Sequence, residues 1–244
     1  MKLTLLYFKA ETLGLLRIPM VVVFTLLFPV LFFALFGLPA GGETEIATIE
    51  MASFTIYAVL GIAVNQFGVN IAEDRSTSWE KFLHTLPVSP VPRFSARILT
   101  ALVFAGVAGG LVVICALMFS KARIDSGIVC PFLLYTLLGS IPFCLLGISI
   151  GYWFSPKAAL PVGNILYFLL AFAGGLWIPP QALPPFIANI SPYLPTREYG
   201  EIIWNTVLGG TQHIVPWLWL CFYTLLFGGL AVWGYRRDEG QRYR

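Results

Sequence analysis

Polar side chains inside apolar runs are expensive to keep, so each one in this chain is a candidate for chemistry. The string GISIG, Gly147 to Gly151, has the Gly-x-Ser-x-Gly spacing of a serine nucleophile, with Ser149 at its centre. Such a serine works only at a strand-to-helix turn with a histidine in reach to take its proton. The two histidines, His84 and His213, lie in separate connectors, each divided from Ser149 by apolar sequence. An intramembrane serine protease is therefore the outlying reading. Close packing of helices at the two glycines is the simpler one.

The remaining polar residues are amides. Asn65, Gln66 and Asn70 cluster in one apolar run and Asn164 sits in another. Amides in such places either tie helices together by hydrogen bonds or line a polar vestibule. Both uses stay open on the residues alone. Metal and nucleotide chemistry lack their signatures, since there is no HExxH pair and no GxxxxGK[ST] phosphate loop. The expectation is a chain that binds no cofactor and hydrolyses no ATP. Cys115, Cys130, Cys144 and Cys221 form no CxxC pair and read as small apolar packers. Basic residues do not interleave with aromatics in a polar patch, so nucleic acid is not an expected partner.

Composition identifies the elements that must hold these groups. Of 244 residues, 58% are hydrophobic and 11% charged, with a mean hydropathy of +0.82. That is too little charge to coat a water-facing surface. Uniformly apolar, charge-free runs predict an all-α membrane protein with six spans, near 18–38, 51–72, 96–119, 129–154, 159–178 and 214–235. On that topology twelve of the 15 Lys and Arg residues fall on one side, leaving Lys121, Arg123 and Arg197 on the other. The positive-inside rule then puts both termini in the cytoplasm. Residues 2–17, with Leu3, Leu6, Tyr7, Ala10 and Leu13 on one face, read as a helix lying at the inner membrane surface.

Two connectors stand out. In the first, Thr77 and Glu80 have capping-box spacing, and the prolines from Pro87 onward must end the helix. Trp79, Phe82, Leu83 and Leu86 fall at i, i+3, i+4 and i+7, giving residues 77–86 one apolar stripe. That stripe suits lipid headgroups or a partner protein. The second connector, 179–213, carries six prolines between 179 and 195 yet stays rich in large apolar residues. It reads as short helices re-entering the outer leaflet, with Glu198 and Glu201 near the top of any path.

EDRSTSWEKFLHTLPVSPVPRFSARI and GGLWIPPQALPPFIANISPYLPTREYGEIIW together resemble the cytoplasmic and outer signatures of the type-two ATP-binding-cassette (ABC) exporter permeases. Within that pattern this chain has Ser76 and Thr77 where glycine is common, one extra residue in the Thr85–Ser89 turn, and Leu194 where asparagine is frequent. The resemblance covers essentially the whole chain as one transmembrane domain, expected in a bacterial inner or cell membrane. It implies a subunit that pairs with a second permease copy and binds two copies of a separate ABC ATPase, which holds ATP and Mg. Residues 77–86 become a coupling helix, with Trp79, Glu80, Phe82, Leu83 and Leu86 meeting the ATPase. Asn65, Gln66, Asn70 and Asn164 become substrate-path residues, and Glu198 and Glu201 an outer gate. The implied function is ATP-driven export of an amphipathic small molecule, lipid-like compound or glycan. A membrane adaptor that anchors an ABC ATPase without transport is the alternative.

Overall fold

In the computed structural model, which describes residues 2–40, 42–77 and 91–242, the regular elements are helical and no strand occurs among the described residues. Helix α1 (Lys2–Leu16) precedes α2 (Pro19–Phe32), which runs on through a π turn at Phe33–Gly37 into Leu38–Ala40. Then come α3 (Thr44–Ser76), α4 (Val91–Phe119), α5 (Ser126–Trp153) and α6 (Pro156–Ala173). Two short helices, α7 (Pro185–Ile190) and α8 (Pro195–Val207), lead to α9 (Ile214–Arg242).

Among the described residues, five helices are long and apolar enough to cross a bilayer: α3, Phe94–Phe119 of α4, α5, α6 and Ile214–Asp238 of α9. At the place of the first expected span, α2 holds a shorter apolar stretch, Thr25–Ala40. The expected span at 51–72 lies inside the longer α3. A charged residue ends an apolar run without ending a helix, and glutamate is a good helix former. Helix α3 therefore begins before Glu45 and Glu50 and continues past Glu73, Asp74 and Arg75.

Helix α3 is the core of the bundle. It packs against α2, α4, α5, α6 and α8, and 83% of its most apolar window is buried, against 17% for α9. The glycines of GISIG explain its approach to α5. A Cβ on Gly151 would lie 2.6 Å from the Ile71 side chain and 3.0 Å from the Gly68 carbonyl, so α3 and α5 touch backbone to backbone there. Helix α1 packs on α4 through the half-buried Tyr7, Glu11 and Leu15. Its Leu3, Leu6 and Leu13 stay exposed, whereas Tyr7, expected on the same face, turns inward.

The bundle has two distinct ends. At one, α3 starts, α4 finishes, and Thr48 Oγ1 accepts from the Arg123 amide at 3.1 Å. Here the 179–213 connector folds into short pieces. Gly175, at φ 82°, turns the chain after α6 in a conformation that L-residues resist. Pro195 opens α8, where a missing amide hydrogen costs nothing. Tyr199 then donates to the Thr136 carbonyl at 2.6 Å, its ring lying where a Cβ on Gly139 would be. Trp204 Nε1 donates to Ser53 Oγ at 2.8 Å, and Thr196 Oγ1 to the Leu170 carbonyl at 2.7 Å. Three anchors thus seat α8 on α3, α5 and α6. The opposite end gathers α1, Arg75, Arg97 and the last turns of α9. Of the expected coupling helix only Thr77 is described. Trp79, Glu80, Phe82, Leu83 and Leu86 lie outside the described residues.

Candidate functional site

A cavity of about 630 Å³ opens between α2, α3 and α6. Thr25, Phe28 and Pro29 line it from α2, and Ala58, Gly61, Ile62, Val69, Asn70 and Glu73 from α3. Helix α6 contributes Leu160, Asn164, Tyr167 and Phe168. The volume suits a drug-sized ligand, and a mostly apolar wall with a few polar groups is the usual chemistry of such sites.

Each helix presents these residues through its own periodicity. On α6, Leu160, Asn164, Tyr167 and Phe168 share one face, and on α3 Asn70 and Glu73 are three apart. Above them the π turn Ile62–Gln66 inserts an extra residue into α3 and re-aims the face below it, a device frequent at functional sites. In α2, Pro29 has no amide hydrogen, so the Thr25 carbonyl loses its i+4 donor beside the cavity.

Aromatic rings close the cavity toward the α8 end. Tyr57 and Tyr167 stack with centroids 4.6 Å apart and planes at 14°. Phe32 stacks on Tyr57 at 5.5 Å, and Trp177 sits 5.5 to 5.7 Å from Tyr57, Phe32 and Phe168. The Tyr167 hydroxyl donates to the Tyr57 carbonyl at 3.2 Å. Gly61 makes room for it, since a Cβ there would lie 2.9 Å from that oxygen. Tyr57 and Tyr167 are buried, so the stack is packed core rather than open lining.

At the other end, consecutive residues of α3 reach in different directions. Asp74 pairs with Arg97 of α4, whose Nε also lies 2.8 Å from the Glu11 carboxylate of α1. Arg75 donates to the Gly151 and Tyr152 carbonyls at the end of α5, at 2.6 and 2.9 Å, and pairs with Asp238 of α9. Its guanidinium also stands 5.3 Å from the Tyr152 ring centroid. One turn of α3 thereby fastens α1, α4, α5 and α9, directly beside Asn70 and Glu73 in the cavity.

The expected site residues separate into groups. Asn70 and Asn164 meet on one cavity, from two helices far apart in sequence. Asn65 and Gln66 belong to the π turn, and their side chains lie outside the described part of the structure. Glu198 and Glu201 do not line the cavity; they lie on α8. Glu201 pairs with Arg197, whose guanidinium stands 5.5 Å from the Trp204 ring. Glu198 is buried, which raises its carboxyl above the ordinary value; neighbouring Glu201 pushes the same way and Arg197 opposes it.

Ser149 spends its hydroxyl on the Leu145 and Phe227 carbonyls, at 2.8 and 3.1 Å, so it joins α5 to α9. His213 is exposed in the connector before α9, and His84 lies outside the described residues. The sequence reading overlooked Glu73, Tyr167 and Phe168. Helical spacing from Asn70 and Asn164 would have found all three.

Residues 42–233 match the profile of the ABC-2 family transporter proteins. The chain is also 27% identical over 194 residues to "Putative transport permease YvfS" of Bacillus subtilis (strain 168), covering 78% of this chain and 77% of that one. The profile takes in the core helix, the cavity's α3 and α6 walls and the α8 cap together. The chain therefore belongs to the ABC-2 family: it is a transport permease subunit of an ABC transporter, integral to the membrane and associated with an ABC ATPase, and not an enzyme.

Proposed function

We propose that this chain forms the substrate path of an exporter, crossing the membrane six times with α2 as the first span and both termini in the cytoplasm. The Arg75 end is then cytoplasmic and the α8 end outward, in a bacterial inner membrane. Two permease copies work with two ATPase copies, and the ATPases hold ATP and Mg while this chain binds no cofactor. One observation carries the reading: Asn70 and Asn164 line a single drug-sized cavity whose α3 wall continues directly into the 77–86 connector.

The mechanism follows from that continuity. Trp79, Glu80, Phe82, Leu83 and Leu86 take up the movement of the ATPases. Helix α3 passes it on, because Asp74 and Arg75 tie its last turn to α4, α5 and α9, and Arg97 extends the tie to α1. A shift of that turn moves Asn70 and Glu73 within the cavity. It also loads the Tyr57–Tyr167 stack that bars the way outward. Asn65 and Gln66, at the π turn, complete the polar part of the path, and Glu198 and Glu201 on α8 flank its exit. The largely apolar lining favours an amphipathic small molecule or lipid-like compound over a glycan, which would need many more hydrogen-bonding groups.

Inside-out vesicles holding the permease with its co-purifying ATPase test this. ATP-dependent uptake of an amphipathic dye, with ATP hydrolysis stimulated by it, is the expected result. The double variant Trp79→Ala, Phe82→Ala should insert normally yet lose uptake, because truncating interface aromatics typically costs about 2–4 kcal/mol. ATP hydrolysis indifferent to a panel of amphipathic compounds, without uptake, would favour the adaptor reading instead.

A further inference from the structure

We infer that the cavity selects small organic cations, with Glu73 holding the positive group and the rings of Phe28 and Phe168 holding an apolar or aromatic body. The inference rests on the cavity being the substrate site and adds the charge of what it takes.

Among the described residues the lining holds one carboxylate, Glu73, and no lysine, arginine or histidine. Glu73 is exposed, so its carboxylate avoids the full desolvation cost while facing the cavity. Asp74 and Arg75, the next two residues, are engaged with other helices, whereas no ion pair within the described residues engages Glu73. Lys157 lies a turn before Leu160 on α6, exposed and outside the lining. The Thr25 carbonyl, left without its helical donor by Pro29, adds an acceptor, and the Asn70 and Asn164 amides can accept or donate. The rings of Phe28 and Phe168 offer π faces, which attract cations and repel anions. An anion would meet a carboxylate with no compensating base among the described lining residues. A neutral molecule would bind without drawing on the site's one charge.

Methyltriphenylphosphonium and triphenylphosphine oxide are near-isosteric, one cationic and one neutral, and they isolate charge from shape. Their binding to the permease–ATPase complex in lipid nanodiscs is measured by titration calorimetry, with empty nanodiscs subtracted. The phosphonium is expected to bind about fivefold more tightly. Glu73→Gln should bring the two within about twofold, and Glu73→Lys should favour the oxide, with thermal unfolding confirming that each variant folds. Asn164→Leu should weaken the oxide, whose oxygen can accept from the amide, more than the phosphonium, at an unchanged melting temperature. Equal affinities in the parent, or a ratio unmoved by Glu73→Gln, overturn charge selection; if Asn164→Leu still weakens the oxide without lowering the melting temperature, the cavity remains the substrate site. Binding of neither compound above the empty-nanodisc level overturns both readings together.

Discussion

Arg97 Nε lies 2.8 Å from the Glu11 carboxylate, so the guanidinium that holds Asp74 of α3 also holds α1 against the bundle. Both side chains are largely shielded, at 12% and 29% exposure, which lifts the contact above an ordinary surface pair. A double-mutant cycle of Arg97→Gln and Glu11→Gln should give a coupling of about 1 kcal/mol, the upper end for an ion pair that keeps some solvent exposure. Thermal unfolding in one detergent supplies the four stabilities. Additive effects would mean that α1 is held by its Tyr7 and Leu15 packing alone.

The Tyr57–Tyr167 stack invites a graded test. Tyr167→Phe keeps the ring and loses the bond to the Tyr57 carbonyl, so it should cost about 1 kcal/mol. Tyr167→Ala removes a buried ring and should cost about 3–5 kcal/mol. On the proposed path the two also differ in function: Tyr167→Phe transports normally, whereas Tyr167→Ala leaks dye without ATP. Equal leak from both variants, or none from either, would remove the stack from the path.

Much of this was legible in the sequence, and the exceptions have physical reasons. The apolar runs announced helices, because a chain in lipid must satisfy its backbone within each segment. Charge misplaced their ends: Glu50 looked like a boundary yet lies buried inside α3, at 4% exposure. The GISIG string suggested either catalysis or close packing, and the contact of Gly151 with Gly68 answers for packing. Asn70 and Asn164 were visible as odd polar residues, but their meeting depends on the crossing of α3 and α6, which spacing within either helix does not encode. The cage of rings around Trp177 was invisible for the same reason, since aromatics occur throughout the chain.

Glu198 predicts a pH effect of definite sign. Its folded carboxyl titrates above the ordinary value of 4.5, chiefly because it is buried. The fold therefore favours the neutral acid. The stability this gives is present below pH 4.5 and is lost as pH rises through the raised value. Parental melting temperature should fall across that interval relative to Glu198→Gln, whose amide does not ionise, and the two should agree best in acid. A difference independent of pH would show that Glu198 acts through packing or hydrogen bonding rather than charge.

The central claim, that Asn70 and Asn164 line a substrate cavity, is tested most directly by the double variant Asn70→Leu, Asn164→Leu in the reconstituted transporter. Stimulation of ATP hydrolysis is titrated with two chemically different amphipathic substrates, beside a melting curve. Interhelical hydrogen bonds in membrane bundles contribute about 0.6 kcal/mol on average, so amides serving only as ties would give a lowered melting temperature and a uniform loss of stimulation. A cavity lining gives a different pattern, because a lost contact weakens only the ligands that used it. The account predicts an unchanged melting temperature with half-maximal concentrations shifted unequally for the two substrates. A lowered melting temperature with both titrations reduced in equal proportion would contradict it.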